Sequence, residues 1–157
     1  MELSFQQMVT RFLVALALGA FIGWERESVG KKAGVRTAML VSGGSALFTI
    51  ISISIPYLIG IDPSKLSVLP DRVISTIVVG IGFLGAGIIL KTGEQVRGLT
   101  TAAVVWITAA VGTLVGLGLV GFAAISALII VVSLYVLRKI KMYERLRPDG
   151  GKENEEV

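Results

Sequence analysis

The 157-residue chain contains no cysteine and no histidine. The first absence excludes disulfides, thiolate nucleophiles and cysteine metal sites; the second excludes imidazole catalysis, ligation of zinc or haem by histidine, and a histidine pH switch. Charged residues are also scarce, at 17% of the chain against about 25% in soluble domains. Since the chain offers no nucleophile–base pair and no metal-ligand cluster, we expect neither an enzyme nor a cofactor-binding protein.

Hydrophobic residues make up 54% of the chain, and the longest uncharged segment is Leu99–Leu137. A helix of about 20 apolar residues crosses the hydrocarbon core of a membrane, where backbone polar groups must be satisfied internally. Because no site for signal-peptide cleavage follows the first apolar segment, we expect that segment to be retained. The sequence therefore predicts an all-α, polytopic transmembrane helix bundle of about five spans: Leu3–Trp24, Thr37–Gly60, Val73–Leu90, Leu99–Val115 and Leu119–Leu137.

The division of the long uncharged segment depends on glycines at 116 and 118, which alone do not end a helix in lipid. Four spans with one re-entrant piece are therefore the alternative. Most of the 15 lysines and arginines lie on one side of the five-span topology. Because positive residues accumulate on the cytoplasmic side, we expect the N-terminus outside and the C-terminus in the cytoplasm.

The transmembrane domain is predicted over residues 1–137, and residues 138–157 are expected to form a basic juxtamembrane segment and a disordered acidic tail. The basic segment is interpreted as a topology anchor that contacts anionic lipids, with docking of a protein partner as the alternative. The excess of basic residues that gives the net charge of +4 thus lies beside the membrane, and it does not indicate a nucleic-acid partner.

Glycines within the spans recur at spacings typical of close helix packing in membranes. Gly80–Gly85 also spells G-x-G-x-x-G, but a dinucleotide site needs a preceding strand and a soluble βαβ unit. A helical projection instead puts small residues on two faces of span three, which predicts that this span is the centre of the bundle. The candidate packing residues are Gly19, Gly23, Gly80, Gly82, Gly85, Gly87, Gly112 and Gly116.

A charged residue, Arg11, lies within the first apolar segment. An arginine at this depth is expensive and is usually paired inside the bundle, although its side chain could also extend to the interface. Asp71 begins span three on the same side, so we hypothesise an Arg11–Asp71 pair that holds spans one and three together. Asp71 would equally suit an ordinary helix N-terminus, where a carboxylate interacts well with the helix dipole.

A second group of polar residues is predicted where three spans end on the cytoplasmic side. Arginine side chains suit contacts with carboxylates or phosphates, and the N-termini of helices favour anions. We interpret the group as a network of salt bridges between spans, or alternatively as a site for an anion or a protein partner. Its members are Glu25, Arg26, Glu27, Arg36, Thr37, Arg97, Thr100 and Thr101, and Arg72 is a further candidate beside Asp71.

Four blocks of sequence resemble the membrane domain of the MgtC/SapB family of bacterial inner-membrane proteins. They appear in the family's order and together cover roughly residues 8–135. The blocks are Arg11-x3-Ala15-x3-Gly19-x2-Ile22-Gly23-x-Glu25-Arg26-Glu27, Ala33-Gly34-x-Arg36-Thr37, Asp71-Arg72 leading into Gly80-Ile-Gly-Phe-Leu-Gly-Ala-Gly87, and Val96-Arg97-Gly98-Leu99-Thr100-Thr101 with the small-residue helix that follows.

The resemblance implies a cell-membrane protein associated with growth under magnesium limitation and, in some pathogens, with virulence. It also implies contacts with other membrane proteins, including ATP synthase and magnesium transporters. Many members carry an ACT-like domain after the last span, and this chain is expected to represent the membrane domain alone. We therefore expect a non-enzymatic regulator that acts through membrane-protein partners, with a transporter or channel for Mg²⁺ or another small ion as the alternative. A homo-oligomer is also possible.

Overall fold

The computed structural model describes residues 3–60, 69–92 and 95–146. Within these ranges the chain forms five helices long and apolar enough to cross a membrane, which confirms the five-span prediction over the four-span alternative. The helices are α1 (Phe5–Ser28), α2 (Val35–Leu58), α3 (Leu69–Ile88), α4 (Leu99–Leu117) and α5 (Val120–Leu146). A short antiparallel hairpin that the sequence did not predict, β1 (Leu90–Thr92) and β2 (Gln95–Arg97), connects α3 to α4.

Local sequence explains where the first helix begins and where the fourth ends. The Ser4 hydroxyl accepts a hydrogen bond from the Gln7 backbone N–H at 3.3 Å, and the Gln7 side chain accepts one from the Ser4 N–H at 3.0 Å. This reciprocal pair caps α1. At the end of α4, Gly118 has φ +92°, a left-handed conformation that glycine adopts without steric cost. The long uncharged segment therefore reverses direction at Gly118.

The helices α1 and α4 both pack against α2, which is the centre of the bundle. A Cβ atom on Gly19 would lie 2.5 Å from the Ala38 carbonyl oxygen, and one on Gly116 would lie 2.6 Å from the Thr49 Cβ. Small residues let helix backbones approach this closely in a membrane. The buried side of α2 supplies the matching small residues at heptad spacing, namely Ala38, Ser42, Ser45, Thr49 and Ser52.

The prediction that span three forms the centre is wrong. Cβ atoms added to Gly80, Gly82 or Gly87 would meet no other atom within 4 Å, and one on Gly85 would meet only the Ala102 side chain, at 3.6 Å. The helix α3 thus lies at the edge of the described bundle, against α4 and α2. Projection identified two small-residue faces on α3, but it could not tell whether a neighbouring helix covers them.

Side-chain contacts define two ends of the bundle. The Glu25 end contains the last turn of α1, the first turns of α2 and α4, and Arg138 of α5. The Arg11 end contains the start of α1 and the turn between α4 and α5.

The helix α5 continues as far as Leu146, so the first part of the predicted juxtamembrane segment is helical. Residues 147–157, which include the predicted acidic tail, lie outside the described residues.

Candidate functional site

Three of the predicted polar residues meet at the Glu25 end. Glu25 and Arg26 are 8% and 5% exposed, although both are charged. The Arg26 guanidinium donates a hydrogen bond to the hydroxyl of buried Thr101 at 3.1 Å, which joins α1 to α4. Glu25 forms an ion pair with Arg138 at 3.5 Å, which joins α1 to α5. We call these four residues the Glu25 cluster.

Two atoms of the Glu25 cluster have no hydrogen-bond partner among the described residues. They are Oε2 of Glu25 and Nε of Arg26, and both are fully buried. An unsatisfied buried polar group costs about 1–3 kcal/mol, and more when it is charged. The Glu25 cluster therefore connects three helices at one end of the bundle without satisfying all of its own polar atoms.

Arg138 was not predicted as a member of this group. Its side chain is 40% exposed, and its guanidinium lies 5.2 Å from the ring centre of Tyr135, a distance typical of a cation–π contact. The signal in the sequence was its position as the first charge after the long apolar segment. Sequence reasoning counted it as part of the basic juxtamembrane segment, because nothing in the spacing showed that it faces Glu25.

Glu27 has a separate role at the start of α2. Its carboxylate accepts a hydrogen bond from the Val35 backbone N–H at 2.9 Å. The N-cap residue of α2 is Gly34, which has no side chain to cap the helix. Glu27 therefore supplies the missing cap from α1 and places a negative charge at the positive end of the α2 dipole.

The other predicted members of the group lie on the surface of the same end. Arg36, Thr37 and Thr100 are exposed. Arg97 is also exposed, and its guanidinium donates to the Gln95 side chain of the same strand at 3.2 Å. The predicted group thus divides into buried residues that connect helices, a helix cap, and exposed basic residues.

At the opposite end, Arg11 does not pair with Asp71, and that hypothesis is wrong. The half-buried Arg11 guanidinium donates instead to the Gly116 carbonyl oxygen at 2.7 Å. It also lies against Gly118, where an added Cβ would come within 2.7 Å of Nη2. The last carbonyl groups of a helix lack partners within the helix. The Arg11 side chain on α1 satisfies one of these carbonyl groups. Asp71, the partner proposed for Arg11 from the sequence, could not do so, because a carboxylate has no hydrogen to donate.

Asp71 and Arg72 are exposed in the first turn of α3. Neither side chain forms an ion pair with another described residue of the chain. Their backbone carbonyls accept hydrogen bonds from Ser75 and Thr76 at 2.7 and 2.8 Å. Asp71 also lies at the positive end of the α3 dipole, where a carboxylate is stabilising.

The described residues contain no group of three or more acidic, histidine or cysteine side chains able to hold a metal ion. The Glu25 cluster holds a single carboxylate next to two guanidiniums. Such a set has a net positive charge and lacks the six oxygens that Mg²⁺ prefers. The chemistry available at this end is therefore that of hydrogen bonds and ion pairs between helices.

A bundle of five membrane-spanning helices, with few charges and those concentrated at its ends, defines a polytopic membrane protein. The MgtC family profile matches residues 12–143. The chain belongs to the MgtC family.

Named relatives support this assignment. Protein MgtC of Brucella abortus is 46% identical over 126 residues, which cover 80% of this chain and 49% of the relative. The putative magnesium transporter YhiD of Escherichia coli K12 is 43% identical over 119 residues, covering 71% and 51%. Protein MgtC of Salmonella typhimurium is 40% identical over 131 residues, covering 83% and 52%. The chain therefore spans about half the length of these relatives, and no solved structure matches it.

Proposed function

We propose that this protein is a non-enzymatic regulator of magnesium homeostasis, or of adaptation to low magnesium, that acts through membrane-protein partners. The observation that carries the proposal is the closed packing of α1 and α4 on α2. A Cβ atom on Gly112 would overlap the Ser42 carbonyl group, and one on Gly23 would lie 2.6 Å from the Val35 Cα. Backbones this close leave no space for a hydrated cation between α1 and α2 or between α2 and α4.

The charges at both ends support the same proposal. A cation entering from the Arg11 end would meet a guanidinium that is already bound to the end of α4. One entering from the Glu25 end would meet Arg26 and Arg138 around a single carboxylate. Cation channels are instead usually built with rings of carboxylates or carbonyl groups.

Exposed basic residues at the Glu25 end supply a surface for partners. Arg36, Arg97, Lys31 and Lys32 are all exposed, whereas Glu25 is buried and Glu27 contributes a single exposed carboxylate at the start of α2. The surface is therefore positive and suits acidic segments of a neighbouring membrane protein. By the positive-inside rule we assign this end to the cytoplasm and the protein to the bacterial inner membrane. ATP synthase and magnesium transporters are the partners that the family resemblance suggests.

A transporter of Mg²⁺ or another small ion is the second candidate. The hydroxyl groups of Ser42 and Ser52 are buried on the central side of α2 and have no partner among the described residues. They would line a polar path if α1 or α4 moved away from α2. A relative that is 43% identical is named a putative magnesium transporter.

The two candidates are separated by testing growth and transport together. We expect an Arg36→Ala/Arg97→Ala variant to fail to restore growth at low Mg²⁺ in a strain that lacks its own MgtC-family protein. An Arg36→Lys/Arg97→Lys variant, which keeps both positive charges and should restore growth, is the matched control, and both variants must accumulate in the membrane. Saturable Mg²⁺ uptake by the purified protein in proteoliposomes would overturn the regulator proposal.

A further inference from the structure

A line of small residues runs along the outward side of α3, between Val78, which is 45% exposed, and Phe83, which is 82% exposed. Ser75, Gly82 and Ala86 are exposed, as is Val79 at 72%. A Cβ on Gly82 would meet nothing within 4 Å, whereas Gly85, on the inward side, lies against Ala102. The space beside Gly82 is therefore open, and the neighbouring Ser75 and Ala86 are left exposed by the rest of the described chain.

The outward side of α5 has a different composition. Its exposed residues are mostly large, including Phe122 at 61%, Ile125 at 57% and Ile129 at 59%, although Gly121, Ala124 and Ser133 are exposed as well. Lipid tails are as apolar as such side chains, so helices gain little by pairing through them, whereas small residues permit close backbone contact. The comparison favours the line of small residues on α3, more than the exposed side of α5, as a surface for another helix.

Two opposite charges flank this side of α3. At 100° per residue, Ser75, Gly82, Ala86 and Val79 form one stripe along the helix, with Asp71 on one edge at its start and Arg72 on the other. Both charged side chains are exposed and form no ion pair with other described residues. A second α3 helix, related by a two-fold axis, would bring each Asp71 opposite the Arg72 of the other copy.

We propose that the protein forms a parallel homodimer through the outward side of α3, with a second copy of the chain as the occupant. Two-fold symmetry about the membrane normal keeps both copies in the same orientation, and the interface is then self-complementary. Two symmetry-related Asp71–Arg72 pairs fix the register at the Arg11 end. Gly82 and Ala86 allow the two backbones to approach. The dimer does not depend on whether the protein regulates partners or transports ions.

Because the chain has no cysteine, single-cysteine variants test the geometry in native membranes. Oxidation should crosslink Ser75→Cys and Ala86→Cys variants into a species of twice the monomer mass. The matched control is Ile129→Cys on α5, an equally exposed membrane position that should remain monomeric. Equal crosslinking of Ala86→Cys and Ile129→Cys, or capture of a different membrane protein by both α3 cysteines, would overturn the dimer.

Charge exchange tests the register separately. Asp71→Arg or Arg72→Asp alone replaces two attractive contacts with two repulsive ones, so either change should weaken dimerisation in detergent by roughly tenfold or more. The double variant D71R/R72D exchanges the charges and should restore the dimer. Melting of each variant, followed by tryptophan fluorescence, identifies any that are misfolded. A well-folded double variant as weak as the singles would contradict the proposed pairing.

Discussion

The guanidinium of Arg11 donates a hydrogen bond to the backbone carbonyl of Gly116 at 2.7 Å, across 105 positions of the chain. The contact joins the second turn of α1 to the last turn of α4. Carbonyl groups at the end of a helix carry the negative pole of its dipole, and a nearby cation stabilises them. The most unusual charge in the membrane part of the sequence is therefore explained as a helix cap contributed by another helix.

Replacement of Arg11 by glutamine is expected to lower the melting temperature in detergent. Glutamine is too short to reach Gly116 from the same backbone position, so the carbonyl would lose its charged donor, at a cost of about 1.5–3 kcal/mol. Tryptophan fluorescence at Trp24 and Trp106 gives the melting curve. An unchanged melting temperature would show that the Arg11 contact contributes nothing to stability.

Substitution of Gly118 by alanine should act on the same contact. Its φ of +92° is unfavourable for alanine, and the new Cβ would meet the Arg11 guanidinium. Because both changes disturb one interaction, the double variant R11Q/G118A should lose less stability than the sum of the two single losses. Simple additivity in this double-mutant cycle would contradict the coupling.

Gly112 and Gly44 form a matched pair for testing the core. A Cβ on Gly112 would overlap the Ser42 backbone, whereas one on Gly44 would meet nothing within 4 Å. We therefore expect Gly112→Ala to destabilise the protein by about 1–3 kcal/mol or more, while Gly44→Ala leaves the melting temperature unchanged or slightly higher. Equal effects of the two changes would be inconsistent with α4 packing directly on α2.

Arg26 and Arg36 provide a comparable test of the Glu25 cluster. Arg26→Gln removes a buried charge that binds Thr101, and should reduce the amount of folded protein in the membrane. Arg36→Gln removes an exposed charge, so it should leave the folded amount unchanged, because surface charges contribute about 0–1 kcal/mol. Detergent-solubilised protein recovered as a single species by size-exclusion chromatography measures this amount. A larger loss for Arg36→Gln than for Arg26→Gln would reverse the assigned roles.

Much of the architecture was accessible from the sequence, because hydropathy and length are sufficient to locate membrane spans. The glycines of α1 and α4 were also identified as packing residues, yet their common neighbour was not. The stripe on α2 that receives them contains serines and threonines, which sequence reasoning did not recognise as a packing surface. The glycines of α3 gave a stronger signal and led to the wrong central helix.

The candidate site was predicted only in part for a related reason. Spacing along the helices placed Glu25, Arg26 and Thr101 at one level of the membrane, and the structure brings those three together. The partners of Arg11 and Glu25 could not be derived in this way. Arg11 binds a backbone carbonyl, which has no sequence signature, and Arg138 lies 113 positions from Glu25 on a helix whose rotation is set by tertiary packing.

Mg²⁺ flux into proteoliposomes tests the central claim, that the closed packing of the bundle supports regulation instead of transport. The purified protein is reconstituted beside empty liposomes and beside the Arg11→Gln variant, with folding verified by melting before reconstitution. We predict that uptake by the folded protein equals that of empty liposomes. Saturable uptake above that of empty liposomes would contradict the account, and its loss in folded Arg11→Gln protein would make the Arg11 contact necessary for transport.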